Sequence, residues 1–226
     1  TDAPPAQDLA SLYPPPLLEY KGRRVAQTMH YLGAEWLIRE SREREERCSL
    51  MIANLGTKPG MVVCDMGCGN GFYTIPMAKM VGDQGHVYAV DIQPEMLRML
   101  NERMDREKVD NITPVLGTGI HPRLPRGQLD LILLVDVYHE ISYPEQMLSA
   151  MRESLSPQGA VVLVGRLEVE VRPYAEQRRD LTEADAALDD ELADLTVLDV
   201  DVGVSPAGDQ LALFAHEVDR APDGPV

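Results

Sequence analysis

The residues of this chain whose types and spacing could do chemistry are a glycine run, Asp65-Met66-Gly67-Cys68-Gly69-Asn70-Gly71, and an acid 20 residues beyond Gly71, Asp91. Glycine lets a backbone pass close to a ligand, and a carboxylate at a strand tip can accept hydrogen bonds from both hydroxyls of a ribose. The apolar run MVVCDMG (61–67) precedes the glycines as a strand, FYTIPMAKMVG (72–82) follows them as a helix, and HVYAVDI (86–92) carries Asp91 at its end. That context makes the pattern a nucleoside site. Dinucleotide sites use G-x-G-x-x-G, whereas here the glycines run G-x-G-x-G and Phe72 stands where the third would let a pyrophosphate approach. Asp65 beside the loop suits a cationic ligand better than a diphosphate.

These residues need a scaffold, and the pattern around them supplies one. After the second strand come a helix through PEMLRMLNERMDRE, a strand ITPVLG (112–117), a strand LDLILLVDV (129–137), a helix PEQMLSAMRESL (144–155) and a strand GAVVLVGR (159–166). Strands alternating with helices at this spacing imply an α/β fold with a Rossmann-like, doubly wound, mostly parallel sheet. A further helix, LTEADAALDDELADL, leads to TVLDVDVGV (196–204), the turn SPAG and DQLALFAHEV (209–218). This hairpin signal makes the sheet seven-stranded with an antiparallel C-terminal strand.

Ahead of the alternating region, residues 1–20 form a Pro-rich extended arm, with five of the 17 prolines in the first 16 residues. Residues 21–56 form an N-terminal helical segment. Val25, Met29, Leu32, Trp36 and Leu37 at 3- and 4-residue steps predict one or two short amphipathic helices broken near Gly33. SREREERCSLMIANLG predicts one helix with opposed charges at 4-residue spacing (Arg39 and Glu43, Glu40 and Arg44, Arg42 and Glu46, Glu43 and Arg47), a solvated face that stops at Gly56. Residues 57–218 then form the ligand-binding domain and 219–226 a flexible tail.

Charge narrows the partners. The chain carries 37 acids against 21 bases, and residues 167–226 alone carry 16 acids and 4 bases. A field of that sign repels phosphate backbones and anionic lipid surfaces, so neither nucleic acid nor a membrane is an expected partner. No apolar run reaches the roughly 18 to 20 residues of a membrane span. Cys48, Cys64 and Cys68 fit neither a disulfide framework nor a zinc pattern, which points to a reducing, cytoplasmic setting and no metal. No signal or transit pattern is visible. The chain begins at Thr1 without a methionine, so earlier removal of a leader stays open. Oligomeric state is not legible.

With these residues in view, the sequence resembles the class I S-adenosylmethionine (SAM)-dependent methyltransferases. The resemblance is carried by DMGCGNG, VDIQPEML, LILLVDVYHEISYPEQML and SLSPQGAVVLVGR, across roughly residues 40–166, and YKGRRVAQTMHYLGAEWLIRE is similar to the start of a bacterial branch of undefined substrate. It implies SAM as cofactor, S-adenosylhomocysteine (SAH) as product and a small-molecule methyl acceptor. It also implies that Gly67 and Gly69 lie against the methionine part, with Gly71 in the same cofactor-binding loop, that Asp65 faces its amino group, Asp91 binds the ribose hydroxyls and Ile92 packs on the adenine. Val135 or Asp136 would meet the amino-acid end. The sequence reads Gly117-Thr118-Gly119 where such enzymes commonly have an acid at the adenine amine, so a Thr118 contact has to substitute.

Methyl transfer is an in-line displacement at a sulfonium, so alignment and exclusion of water do much of the work. A base is needed only for a protonated hydroxyl or amine acceptor. His139, with Asp136 and Glu140 nearby, follows the fourth strand and is the candidate base. A histidine that caps or packs the next helix is an equally ordinary reading. His30, Tyr31 and Trp36 are candidate lid residues, and Tyr73 and Tyr138 candidate pocket walls. Aminopropyl transfer from decarboxylated SAM and a SAM-binding regulatory module are the competing functions.

Overall fold

The computed structural model describes residues 15–20 and 23–165, together with the backbone of two later strands, Val197–Val204 and Leu211–Glu217. The first 14 residues of the Pro-rich arm, the expected helix after residue 180 and the tail lie outside the described residues.

A two-residue hairpin, β1 (Glu19–Tyr20) with β2 (Arg23–Arg24), is followed by a 3-10 helix (Tyr31–Ile38) and two short helices, α1 (Arg42–Glu46) and α2 (Cys48–Asn54). The alternating region then runs β3 (Val62–Met66), α3 (Thr74–Val81), β4 (His86–Asp91), α4 (Pro94–Glu107), β5 (Ile112–Leu116), β6 (Leu129–Val135), α5 (Pro144–Ser154) and β7 (Leu155–Val164). These five strands lie in the order β5-β4-β3-β6-β7, every pair parallel. It is a Rossmann-like α/β fold. The later strands are β8 (Val197–Val204) and β9 (Leu211–Glu217).

Burial on both faces explains why the central strands read as near-continuous apolar runs. Along β6, Leu131 and Leu133 join Val63, Val87 and Ala89 on the face covered by α2, α3 and α4. Ile132 and Leu134 alternate to the other face, with Cys64, Val90, Val161 and Met151 of α5. The order reverses at β3: the chain runs outward through β4 and β5, then crosses back to β6 on the other side of β3. That places the carboxyl ends of β3, β4 and β6 around one crevice, the usual ligand position in such sheets.

Boundaries shift by a few residues where local geometry decides. The strand expected to reach residue 137 ends at Val135, because Asp136 turns the chain at φ 54°. The last parallel strand starts at Leu155 rather than 159, directly from the end of α5.

The N-terminal segment departs most from expectation. Residues 25–30 form no helix, because amide donors among them are drawn to the turn after β6: Ala26 N–H donates to the His139 carbonyl (2.9 Å) and Met29 N–H to the Glu140 carboxylate (3.3 Å). The apolar residues at helical spacing do not form a core stripe, since Leu32 and Trp36 are exposed. Gly33 lies inside the 3-10 helix rather than at a break.

The single helix expected over 41–56 is two. Arg47 turns left-handed (φ 47°), its N–H still donating to the Glu43 carbonyl, while the Glu43 carboxylate accepts the Ser49 N–H at 3.0 Å. Glu43 therefore serves the start of α2, not an ion pair with Arg39 or Arg47. Of the four predicted pairs, Arg42–Glu46 forms (2.7 Å), and Arg39 turns instead to Glu45 and Glu46.

The solvated-face expectation fails at Arg42, which is only 4% exposed. Its guanidinium bonds Glu46, donates to the Leu37 carbonyl at 2.7 Å, and lies 4.3 Å above the Phe72 ring and 5.1 Å from that of Tyr73. It joins the N-terminal segment to α3. Replacing Arg42 by Ala leaves the Glu46 carboxylate and the Leu37 carbonyl short of a donor, so a loss of about 1–3 kcal/mol is expected. Arg44→Ala, on an exposed side chain two residues away, should change stability by less than about 0.5 kcal/mol. Urea unfolding of both variants measures the difference.

Candidate functional site

The loop from Met66 to Tyr73 is shaped by its own backbone contacts. Gly67, Gly69 and Gly71 take φ values of 71°, 53° and 82°, which L side chains rarely adopt. The amides of Gly67 and Cys68 both donate to the Val90 carbonyl (2.8 and 2.9 Å), tying the loop to the end of β4. Neighbouring side chains also require the glycines. A Cβ at Gly67 would come within 2.4 Å of Val137 and one at Gly69 within 2.7 Å of Leu37. At Gly71 it would come within 2.4 Å of Leu100.

Asp91 occupies the tip of β4, buried, with one carboxylate oxygen accepting the Gly69 N–H (2.9 Å) and the other the Gln93 N–H (2.8 Å). Each oxygen keeps a further lone pair for a ligand hydroxyl. Burial pushes its pKa up, and the backbone donors of Gln93, Gly69 and Ile92 pull it back. Beside it, Ile92 is 45% exposed, an apolar surface a flat heterocycle could cover.

Asp65 is placed differently from expectation. It is 3% exposed and accepts the Thr74 hydroxyl, so it braces the loop against the start of α3 instead of fronting the crevice. Burial raises its pKa to about 6, with Asp91 adding to the rise and the Thr74 hydroxyl and Arg42 opposing it. Thr118 is likewise engaged. Its hydroxyl donates to the His121 carbonyl (3.1 Å) and accepts the His121 N–H (3.0 Å), a local turn that competes with an adenine contact.

On the β6 side, half-buried Val135 packs against the core and Asp136, left-handed, donates its N–H to the Val164 carbonyl (2.7 Å). Asp tolerates this conformation better than most residues, and such outliers cluster at functional sites. The following 3-10 turn holds Tyr138, packed on the core, and His139, exposed. Glu140 completes the turn. Its half-buried carboxylate accepts the Met29 N–H and the Thr28 side chain; burial raises its pKa to about 7, and Asp91 and Asp136 add to the rise.

The segment 25–38 crosses this crevice as a strap. Gln93 grips it twice, its side-chain oxygen accepting the Tyr31 N–H and its amide donating to the Met29 carbonyl, both at 2.8 Å. Asn70 in the glycine loop donates to the Ala34 carbonyl at 2.9 Å, and the Leu37 side chain covers Gly69. Of the lid candidates, Tyr31 is thus at the crevice through its backbone, and His30 caps the 3-10 helix, its Nδ1 accepting the Leu32 N–H (3.3 Å). Trp36 is 53% exposed under the Arg39 guanidinium (3.8 Å to the ring centre) and does not close the crevice. Tyr73 is not an open pocket wall either. It is buried in the seam with the N-terminal helices, its hydroxyl donating to Cys48 Sγ at 3.2 Å. The roles of Gln93, Asn70, Leu37 and Glu140 left no local signal, because their partners are 32 to 111 positions distant.

Tested against an adenosyl ligand, the residues fit. The crevice offers a glycine backbone cradle, a positioned carboxylate pair of acceptors for a ribose, an exposed apolar side chain next to it, and carboxylates whose mutual repulsion a cationic group would relieve. Among the described residues no His/Cys/Asp/Glu cluster is built to hold a metal ion.

Comparison with known proteins agrees. Residues 63–159 match the family model described as methyltransferase domain. The solved SAM-dependent methyltransferase from Aquifex aeolicus is 26% identical, with a TM-score of 0.63 over 73% of this chain and 88% of that one. Among curated relatives, the protein-L-isoaspartate O-methyltransferase of Methanothrix thermoacetophila is 30% identical, covering 51% of this chain and 52% of its own length. The ubiquinone/menaquinone biosynthesis C-methyltransferase UbiE of Vibrio campbellii is 29% identical, covering 48% and 42%. The chain spans about half the length of the curated relatives it matches. These findings support a class I SAM-dependent methyltransferase domain over the matched residues. The relatives differ in the acceptors they name, and the class leaves the acceptor of this chain undefined.

Two outcomes follow from the geometry. Gly71→Ala forces a Cβ into Leu100 at a left-handed position and should cost about 2 kcal/mol or more, read as a drop in the urea midpoint. Glu140 has a native pKa raised above its unfolded value of 4.5, so the folded state binds the proton more tightly and stability falls as pH rises from about 4.5 to 7. Because the carboxylate is partly solvated, the effect is on the order of 1 kcal/mol, or about 2–4 °C in Tm. Glu140→Gln should flatten that part of the Tm-against-pH curve, as scanning calorimetry between pH 5 and 8 would record.

Proposed function

We propose that this chain transfers a methyl group from SAM to a small-molecule acceptor, releasing SAH. The observation that carries the reading is the Asp91 carboxylate, held at the strand tip by the amides of Gly69 and Gln93 with acceptor capacity to spare for a ribose. SAM supplies an electrophilic methyl on a sulfonium, and the protein supplies position and exclusion of water. In this reading the Gly67–Gly71 backbone bears the methionine part, Ile92 lies on the adenine, and Val135 and Asp136 border the amino-acid end. His139, with Asp136, takes the proton when the acceptor is a hydroxyl or amine.

The domain organisation proposed is an arm over 1–20, a lid over 21–56, the SAM-binding domain over 57–218 and a tail over 219–226. The strap's contacts with Asn70, Gln93 and Glu140 support the lid, and a covered crevice favours a small acceptor over a folded protein. We also propose that the sheet is completed by β8 and β9 as sixth and seventh strands. The register of Val161–Leu163 beside Val197–Asp199 and the antiparallel run of β8 with β9 support this. Three buried free cysteines support a reducing, cytoplasmic setting, and no helix among the described residues is long and apolar enough to cross a membrane.

Calorimetry with SAM, SAH, decarboxylated SAM and NAD tests the binding half. SAM and SAH should bind and NAD should not, since Phe72 stands where a third glycine would let a pyrophosphate approach the helix start. Binding of NAD with no binding of SAM or SAH sinks the reading. Turnover is then assayed as SAH release with a small-molecule extract. His139→Ala should lower that rate by about 10²- to 10⁴-fold with SAM affinity nearly unchanged, whereas a loss below tenfold would remove His139 as base.

A further inference from the structure

Asn70 has a side chain whose two ends are treated differently by the fold. It is 7% exposed, in the middle of the glycine loop. Its Nδ2 donates to the Ala34 carbonyl of the strap at 2.9 Å, which fixes the amide's orientation because only the nitrogen end can donate there. Its Oδ1 is buried and has no hydrogen-bond partner among the described residues. A buried amide oxygen without a donor costs free energy, so such an atom calls for an explanation.

The donors of an adenosyl ligand narrow the choice. In the reading above, Asp91 takes the ribose hydroxyls, and the adenine lies at Ile92 on the same side. The donor that remains is the ammonium group at the methionine end, the part the glycine loop faces. Asp65, the acid expected there, is turned under the loop to Thr74. We propose that Asn70 is a two-sided positioning residue: its Oδ1 accepts a hydrogen bond from the ligand's ammonium group while its Nδ2 holds the strap, so that ligand binding and strap closure are coupled through one side chain. The coupling is reciprocal, since a ligand that orders Asn70 strengthens the strap contact and an attached strap orders Asn70 for the ligand.

The inference rests on the proposed adenosyl site, and the experiment separates the two. Calorimetry compares SAH with methylthioadenosine, an adenosyl thioether lacking the amino-acid end, on wild type, Asn70→Ala and Asn70→Asp, with circular dichroism of each to register the fold. Hydrogen exchange at residues 29–38, with and without SAH, reads the strap. Asn70→Ala should weaken SAH about tenfold or more and leave methylthioadenosine within about twofold. Asn70→Asp keeps an acceptor but has no donor for Ala34. It should bind SAH within about threefold of wild type, while the exchange protection that SAH confers on residues 29–38 is lost.

Equal weakening of both ligands by Asn70→Ala, or no weakening of either, overturns the ammonium contact. Wild-type strap protection by SAH in Asn70→Asp overturns the coupling. If wild type binds neither ligand, the adenosyl site itself is wrong and the proposal falls with it.

Discussion

One carboxylate organises the crevice. Asp91 leaves β4 with both oxygens taken by backbone donors, Gly69 on one side and Gln93 on the other, and those two residues carry most of what surrounds it. Gly69 sets the height of the glycine loop over the strand ends. Gln93 begins the turn into α4 and turns its side chain outward to grip the strap at Met29 and Tyr31. A single buried acid thus ties together loop, helix start and strap, and its own burial cost is partly offset by the hydrogen bonds that make the tie.

The glycines belong to the same arrangement. Each has a positive φ, and each has a hydrophobic side chain where a Cβ would go: Val137 from the turn after β6, Leu37 from the strap, Leu100 from α4. The loop is therefore packed by three different parts of the chain. Ligand approach and close packing make the same demand on these positions, which is why the motif tolerates no Cβ from either direction. Arg42 extends the seam, holding the Leu37 carbonyl from below while stacked on Phe72.

Electrostatics gives the crevice its sign. Asp65 and Glu140 are pushed up to about 6 and about 7, and Asp91 is raised as well, in each case first by burial and then, for Asp65 and Glu140, by a neighbouring carboxylate. A site built this way carries unrelieved negative potential at neutral pH. A ligand with a sulfonium and an ammonium group answers it, and a diphosphate does not.

The parallel core, the strand that carries Asp91 and the glycine loop were legible in the sequence because they are local. Apolar runs of strand length, helical periodicity and a glycine spacing each depend on residues within a few positions of one another. The helical stripe read from Val25 to Leu37 and the single charged helix over 41–56 failed for the opposite reason. Backbone donors at Ala26 and Met29 found acceptors more than 100 residues away at His139 and Glu140, and those bonds outweigh a weak local propensity. Arg42 looked like one more charge on a solvated face, and only the packing of α3 beneath it makes it buried. The same holds for Asn70, Gln93 and Glu140. Residue type and position along the chain say that these side chains can hydrogen-bond, but the partner, and with it the role, is decided when the strap crosses the ends of the strands.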